Sequence, residues 1–348
     1  MRFERRERVP VALALAAPFA AVLAALLICS GLVAAAHAPV LGAYAALANG
    51  AFGSRLAITE TLTRATPIIL TGLAAAVAFR ARFWNIGGEG QFYVAAIAVA
   101  AVGSHELGLP AALLIPLLLV VGALAGATLL AGPAVLKVRF GVDEVVTTLL
   151  LNFIVLLFVS MMIEGPMKDP QAFGWPQSVP LVDDALLPKL VPRSRLHVCF
   201  LLALIASGVI AFINARSVFG FESRAVGLNA EAARFAGIPV GGVLVRVAVL
   251  SGGLAGLAGA VEATGLKGYV TLDLSPGFGM TGVIVAMLAS LHPIGVVPAA
   301  IFVAGIFVGA DAMGRVYGIP SFIADVFLAV SLLAMLVALL LTNYRIRR

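Results

Sequence analysis

Charge is scarce in this sequence: Asp, Glu, Lys and Arg make up 11% of its 348 residues, against about a quarter in a soluble domain. So few charges cannot cover a water-facing surface, which excludes an ordinary soluble globular protein. Cysteine is nearly absent too. Cys29 and Cys199 both fall in apolar segments, where a free cysteine behaves as a small hydrophobe, so no redox compartment follows from them. No His/Cys cluster has metal-ligand spacing, and no nucleophile–His–acid set appears. No GxxxxGK[ST] occurs either; the nearest segment, GLKGYVT from Gly265 to Thr271, has the wrong spacing. The chain is therefore expected to hold no catalytic site, metal or cofactor of its own. If ATP drives it, another subunit hydrolyses the ATP.

What is present is apolar, with 62% of the residues hydrophobic. Runs of roughly 20 such residues fit membrane-spanning helices, and the alternation of a β-barrel is missing. The expected fold is an all-α polytopic membrane protein, one transmembrane domain over 1–348. Ten spans are expected at about 10–35, 56–80, 89–104, 110–132, 145–163, 196–214, 243–264, 280–291, 298–314 and 322–342. The third and eighth are short, which points to tilted or broken helices. The opening MRFERRERVP and its Ala/Leu run resemble a signal peptide. The run continues past Cys29 without a small-residue cleavage site, so it is read as a retained first helix.

The net charge of +6 reads as topology rather than nucleic-acid binding, because the basic residues lie between apolar runs. With a cytoplasmic N-terminus, cytoplasmic segments hold 15 of the 23 Lys and Arg and the other side holds 8. The positive-inside rule then places both termini in the cytoplasm, with an even number of spans. Glu164 to Arg195 reads as a Pro-rich extracytoplasmic loop with a short interfacial helix, and its Asp183-Asp184 as a solvated pair. Asn214 to Gly242 reads as cytoplasmic; in it Asn229 caps a short helix that Gly237 and Pro239 end.

The chain repeats itself. GGEGQFYVAAIAVAAVGSHELGLPAA and SPGFGMTGVIVAMLASLHPIGVVPAA share a Gly-x-Gly, an apolar run, a histidine (His105, His292) and Pro-Ala-Ala (Pro110, Pro298). Gly90 to Gly279 is 189 residues and Pro110 to Pro298 is 188. Five spans fit that interval, and an odd number inverts the second copy. The repeat halves are about 56–163 and 243–342, with a cytoplasmic segment at about 215–242. Inverted repeats with glycine- or proline-interrupted helices are built around a permeation route.

The most polar interruption is FWNIGGEGQFY, Phe83 to Tyr93. Glu89 is costly in a membrane and so marks function, while Asn85 and Gln91 bring amide donors and acceptors. Two readings stay open: these residues line or gate a solute path, or they form a knot held by their own hydrogen bonds. The same choice applies to Thr147, Thr148, Asn152, Glu262, Thr281, His292 and Asp311, with His292, like His105, at a span end where an interfacial role is the further reading. Thr148 and Asn152 share a helix face, and Glu262 ends an otherwise Gly/Ala/Leu span. SGGLAGLAGAVEATG, Ser251 to Gly265, reads as tight helix packing.

In order along the chain, FWNIGGEGQF, VDEVVTTLLLNFI, VGLNAEAARFAGIPV, SGGLAGLAGAVEATG and SPGFGMTGVIVAMLASLHPIGVVPAA resemble the membrane permeases of ABC importers. The match is to the group for simple sugars, ribose and nucleosides; GGEGQ, GPMKDP and AMLASLHPIGV resemble its nucleoside branch. The resemblance implies about ten spans and a second permease, identical or different. It also implies two cytoplasmic ATPase subunits that hold ATP-Mg, an extracytoplasmic binding protein or lipoprotein, and a small polar solute. It implies a coupling helix at Gly227, Leu228, Asn229, Glu231, Ala232, Arg234, Phe235, Gly237 and Ile238. Asn229 is its cap, Glu231 and Arg234 its polar contacts, and Phe235 its anchor in the ATPase. A permease for simple sugars and an ion-coupled secondary transporter using Glu89 or Glu262 are the alternatives.

Overall fold

The computed structural model describes residues 2–5, 11–318 and 322–347. Thirteen α-helices run through them: α1 (Val11–Ala35), α2 (Val40–Phe52), α3 (Arg55–Arg80), α4 (Gly88–Gly103), α5 (Ala111–Phe140), α6 (Glu144–Glu164), α7 (Cys199–Arg216), α8 (Val218–Leu228), α9 (Ala230–Phe235), α10 (Val240–Glu262), α11 (Phe278–Leu288), α12 (Pro293–Tyr317) and α13 (Ile323–Asn343). Two short strands, β1 (Arg2–Arg5) and β2 (Tyr344–Arg347), pair antiparallel and bring the two ends of the chain together.

Six of these helices are long and apolar enough to cross a membrane, or seven if α1 and α2 make one span bent by 115°. The chain is thus a helical polytopic membrane protein. The bend falls at His37, with φ of 57°, and Pro39. The helix after it, VLGAYAALANGAF, is absent from the sequence reading, because its 13 residues are too few to span. α4 and α11 are the two short apolar helices, with 16 and 11 residues, where short spans are expected.

The chain divides into two compact units. The first comprises residues 1–61 and 301–348. In it Tyr44 donates to the Leu26 carbonyl at 2.6 Å, and Gly50 and Gly309 let α2 lie against the second half of α12.

The second unit, residues 62–300, is organised on α10. A Cβ at Gly256 would overlap the Gly122 carbonyl oxygen, and one at Gly252 would lie 2.5 Å from that of Gly126. A Cβ at Gly259 would overlap the Phe92 carbonyl. The small residues of SGGLAGLAGA therefore seat α5 and α4 on α10 at backbone distance, as small residues do where helices pack in lipid.

Between α6 and α7 the chain is irregular, and the expected interfacial helix is only a 3₁₀ turn, Asp183–Ala185. This segment lies across the ends of α4 and α10. Val182 N–H donates to Gly103 at 2.9 Å, Leu187 N–H to Thr264 at 3.0 Å and Leu181 N–H to Gly268 at 2.7 Å. His197 closes it, fully buried beside Gly265 and without a hydrogen-bond partner among the described residues. Burial pushes its pKa down to about 4.

Two outcomes follow from this packing. Gly256→Val should lower the melting temperature in detergent, because overpacking costs about 1–3 kcal/mol; Gly132→Ala, in open space, should not. Below its unfolded pKa near 6.5, His197 binds more protons in the unfolded chain than in the folded one, down to about 4. Folding stability should thus fall with pH across that window by up to about 3 kcal/mol. A His197→Leu variant should lose this dependence in thermal unfolding at pH 7.5 and 5.

Candidate functional site

α3 ends in a Schellman turn: Phe83 N–H reaches the Ala78 carbonyl at 3.1 Å and Arg82 N–H that of Phe79 at 3.0 Å. Arg82 takes the left-handed position, φ 54°, usually given to glycine. The chain then leaves helical geometry until Gly88. Such backbone, inside a bundle, must have its polar groups met.

Each N–H from Ala81 to Gly87 has an acceptor. Ala81 joins the two turn bonds above by donating to Ala78, and Asn85 donates to Phe83. Trp84 N–H donates to Glu144 Oε1 at 3.2 Å, Ile86 N–H to Thr148 Oγ1 at 3.3 Å and Gly87 N–H to Asn85 Oδ1 at 3.0 Å. The side chains are as fully used. Asn85 Nδ2 donates to Gln91 Oε1 and to Ser251 Oγ, both at 3.0 Å, and its Oδ1 accepts Gln91 Nε2 at 2.8 Å. With Gly87 that is the complete capacity of a carboxamide. Ser251 in turn donates to the Ala74 carbonyl at 2.8 Å, which ties α10, α3 and this loop together.

α6 supplies the other wall. Asp143 caps it, accepting from Val145 and Val146. Glu144 bonds Lys137, whose ammonium lies 5.7 Å over the Phe83 ring. Asn152 Nδ2 donates to Ile86 O at 3.0 Å, and its Oδ1 accepts Gly90 N–H at 2.8 Å, so one amide closes the loop and caps α4. Gly87 and Gly90 have no room for more: a Cβ on either would sit about 3.0 Å from Thr148 or Asn152.

The structure thus brings Asn85, Gln91, Thr148 and Asn152 into one buried cluster. Glu89 does something different. Its Oε2 accepts the Gly279 N–H, in the first turn of α11, at 2.7 Å. Here the two copies of the Gly-x-Gly touch: a Cβ at Gly88 would lie 3.3 Å from Gly279 Cα, and one at Gly279 would overlap the Glu89 nitrogen. Two helix N-termini, α4 and α11, therefore meet at one carboxylate, which suits their partial positive charge. Around it, Tyr93 donates to the Leu272 carbonyl at 2.5 Å and accepts Ser275 N–H at 3.1 Å. Ser275 Oγ accepts Phe278 N–H at 2.8 Å. Thr71 donates to the Phe278 carbonyl at 2.9 Å.

Thr281 is buried on α11, two residues beyond Gly279. Glu262 is buried at the far end of α10, eleven residues or about 16 Å from Ser251, and is not part of the cluster. Ser251, Glu144, Lys137, Thr71, Tyr93 and Ser275 were not singled out by sequence. Ser251 lies hidden in a run of packing residues; Tyr93, four residues after Glu89 on the same helix face, carried a signal that could have been read.

The candidates between Gly227 and Ile238 lie apart from this cluster, on α8, α9 and the turn after it. Asn229 Oδ1 accepts from Glu231 and Ala232 at 3.0 and 3.1 Å, and Gly237, φ 82°, turns the chain out of the helix. Ala233 is buried, while Leu228, Glu231, Ala232, Arg234 and Phe235 face outward and Ile238 is half-buried. Gly227 abuts the Arg80 carbonyl so closely that a Cβ would overlap it.

The profile of the family described as branched-chain amino acid transport system / permease component matches residues 57–339. The chain belongs to this family. Among its relatives, the guanosine ABC transporter permease protein NupP of Bacillus subtilis is 38% identical over 84% of this chain and 85% of its own length. The glucose ABC transporter permease protein TsgB13 of Haloferax volcanii is 32% identical over 99% of this chain and 93% of its own. The nucleoside ABC transporter permease protein NupB of Lactococcus lactis is 33% identical over 84% and 82%. The chain is a membrane permease component rather than an enzyme.

In this permease the cluster has separable parts. Asn152→Leu strands the Ile86 carbonyl and Gly90 N–H, and should lower stability by about 2 kcal/mol, read as a fall in melting temperature. Glu89→Gln keeps an acceptor for Gly279 and should leave the melting temperature nearly unchanged.

Proposed function

We propose that this chain is the permease of an ATP-driven ABC importer for nucleosides or related purine and pyrimidine compounds. The observation that carries the reading is its likeness, over most of both chains, to permeases named for guanosine and for nucleosides. A simple-sugar permease is the second reading, favoured by the glucose permease that aligns with 99% of the chain.

On this reading the permease has ten spans: the six long apolar helices, the bent pair, α4 and α11, and α13. It sits in the cell membrane as one transmembrane domain with both termini cytoplasmic. The pairing of β1 with β2 supports placing the ends on one side. It works with a second permease, two ATPase subunits that hold ATP-Mg, and an extracytoplasmic binding protein. α9 is the coupling helix, with Asn229 as cap, Glu231 and Arg234 as polar contacts and Phe235 as anchor. Phe235 is 97% exposed in the chain alone, which suits a side chain that another subunit covers. ATP binding closes the ATPase dimer, pushes α9 and rocks the bundles. The repeat halves are inverted copies, and the gate lies where α4 and α11 meet. Asn85, Gln91, Thr148 and Asn152 hold that junction; Glu89 is its latch, Thr281 flanks it, and Glu262 lies further along the path.

Liposomes holding all four kinds of subunit should take up labelled guanosine only with ATP inside and binding protein outside. Phe235→Asp should abolish stimulation of ATPase activity, and Glu89→Gln should change the uptake rate more than expression. Uptake by this chain alone, driven by a proton gradient, would overturn the proposal. Competition by glucose but not by nucleosides would select the second reading.

A further inference from the structure

The end of α3 and the outer face of α8 place two guanidinium groups together without a counter-charge. Gly227 on α8 abuts the Arg80 carbonyl, and Arg224 stands one turn earlier on α8, within electrostatic reach of Arg80. Arg80 Nε is buried and has no hydrogen-bond acceptor. The carboxylate two residues before Arg224 is taken, since Glu222 bonds Arg246 at 3.0 Å. Among the described residues no carboxylate pairs with either Arg80 or Arg224. A buried guanidinium N–H without an acceptor, beside a second positive charge, is a costly arrangement in an isolated chain.

The surroundings say what kind of group completes it. Arg224 and Leu228 are four residues apart and share a helix face, and Leu228 is exposed, as is Phe235 on α9. Exposed arginine and phenylalanine are residue types enriched where proteins meet. A lipid phosphate would answer the charge but leave Phe235 in water. A carboxylate on a protein surface answers both, and it matches the flat fork of arginine.

We infer that Arg80 and Arg224 receive a carboxylate of the docking ATPase subunit, next to the apolar contact of Leu228 and Phe235. This rests on α9 being the coupling helix. The carboxylate would join the ATPase directly to the last residue of α3, and so to the loop that leads to Glu89.

The test titrates the ATPase subunit that copurifies with the native protein onto the permease in phosphatidylcholine nanodiscs. Arg224→Ala should weaken binding at least about tenfold at low salt and flatten its salt dependence, with Arg224→Lys recovering part of the loss. Arg80→Met should give a similar loss, and the double variant no further one. Arg224 is exposed, so an unchanged melting temperature separates docking from folding. Unchanged affinity in Arg224→Ala, with binding lost in Phe235→Asp, would overturn the arginine pair and leave the coupling helix standing. Full affinity in both variants would remove the coupling assignment itself. An effect of Arg224→Ala confined to discs containing phosphatidylglycerol would assign the pair to lipid headgroups and overturn the proposal.

Discussion

Seven residues between α3 and α4 leave helical geometry inside an apolar bundle, and the rest of the second unit is arranged around making that tolerable. An amide N–H without an acceptor in such surroundings costs several kcal/mol. Carbonyls of the last turn of α3 and of Phe83, and the side chains of Asn85, Thr148 and Glu144, accept these N–H groups. Ser251 on α10 and Asn152 on α6 then fasten the loop to its neighbours. Three helices are thereby held at fixed distances from a stretch that would otherwise unravel or wind into helix.

This closure gives Glu89 its setting. Because α4 starts where Asn152 caps it, the next side chain reaches the start of α11 and accepts the Gly279 amide. Asn85 spends its whole bonding capacity on structure. Glu89 instead bonds away from the loop, to the Gly279 amide at the start of α11 and to the Ser275 side chain just before it. On the opposite side, the contact of Gly227 with Arg80 places the proposed coupling segment directly before the same loop.

Much of this was legible in the sequence. Apolar runs of span length located the long helices, since length and hydropathy are local properties. Asn229, Gly237 and Pro239 marked α9, because capping is decided within a turn. The run SGGLAGLAGA announced close packing, as residues without bulk do. The helix after the bend at His37 was not legible, since 13 small residues neither span nor alternate. The interfacial helix expected between α6 and α7 gave way to a strap whose backbone bonds go to α4 and α10 instead of to itself.

The sequence by itself determined the membrane class, the family and the repeated Gly-x-Gly, because these depend on composition and on the order of residues along the chain. Whether Asn85, Gln91, Thr148 and Asn152 were knot or lining was undecided there, since an amide presents the same donors and acceptors either way. Tertiary structure shows where their bonds go: Asn85 and Gln91 bond each other, Asn85 also bonds Ser251, and Thr148 and Asn152, more than sixty positions on, bond the backbone of Ile86 and Gly90 within 3.3 Å. It also decided that the two glycine motifs touch, with Glu89 as the bond between them. No spacing in the chain encodes that contact; it exists because glycine lets two helix ends approach until a carboxylate on one can cap the other.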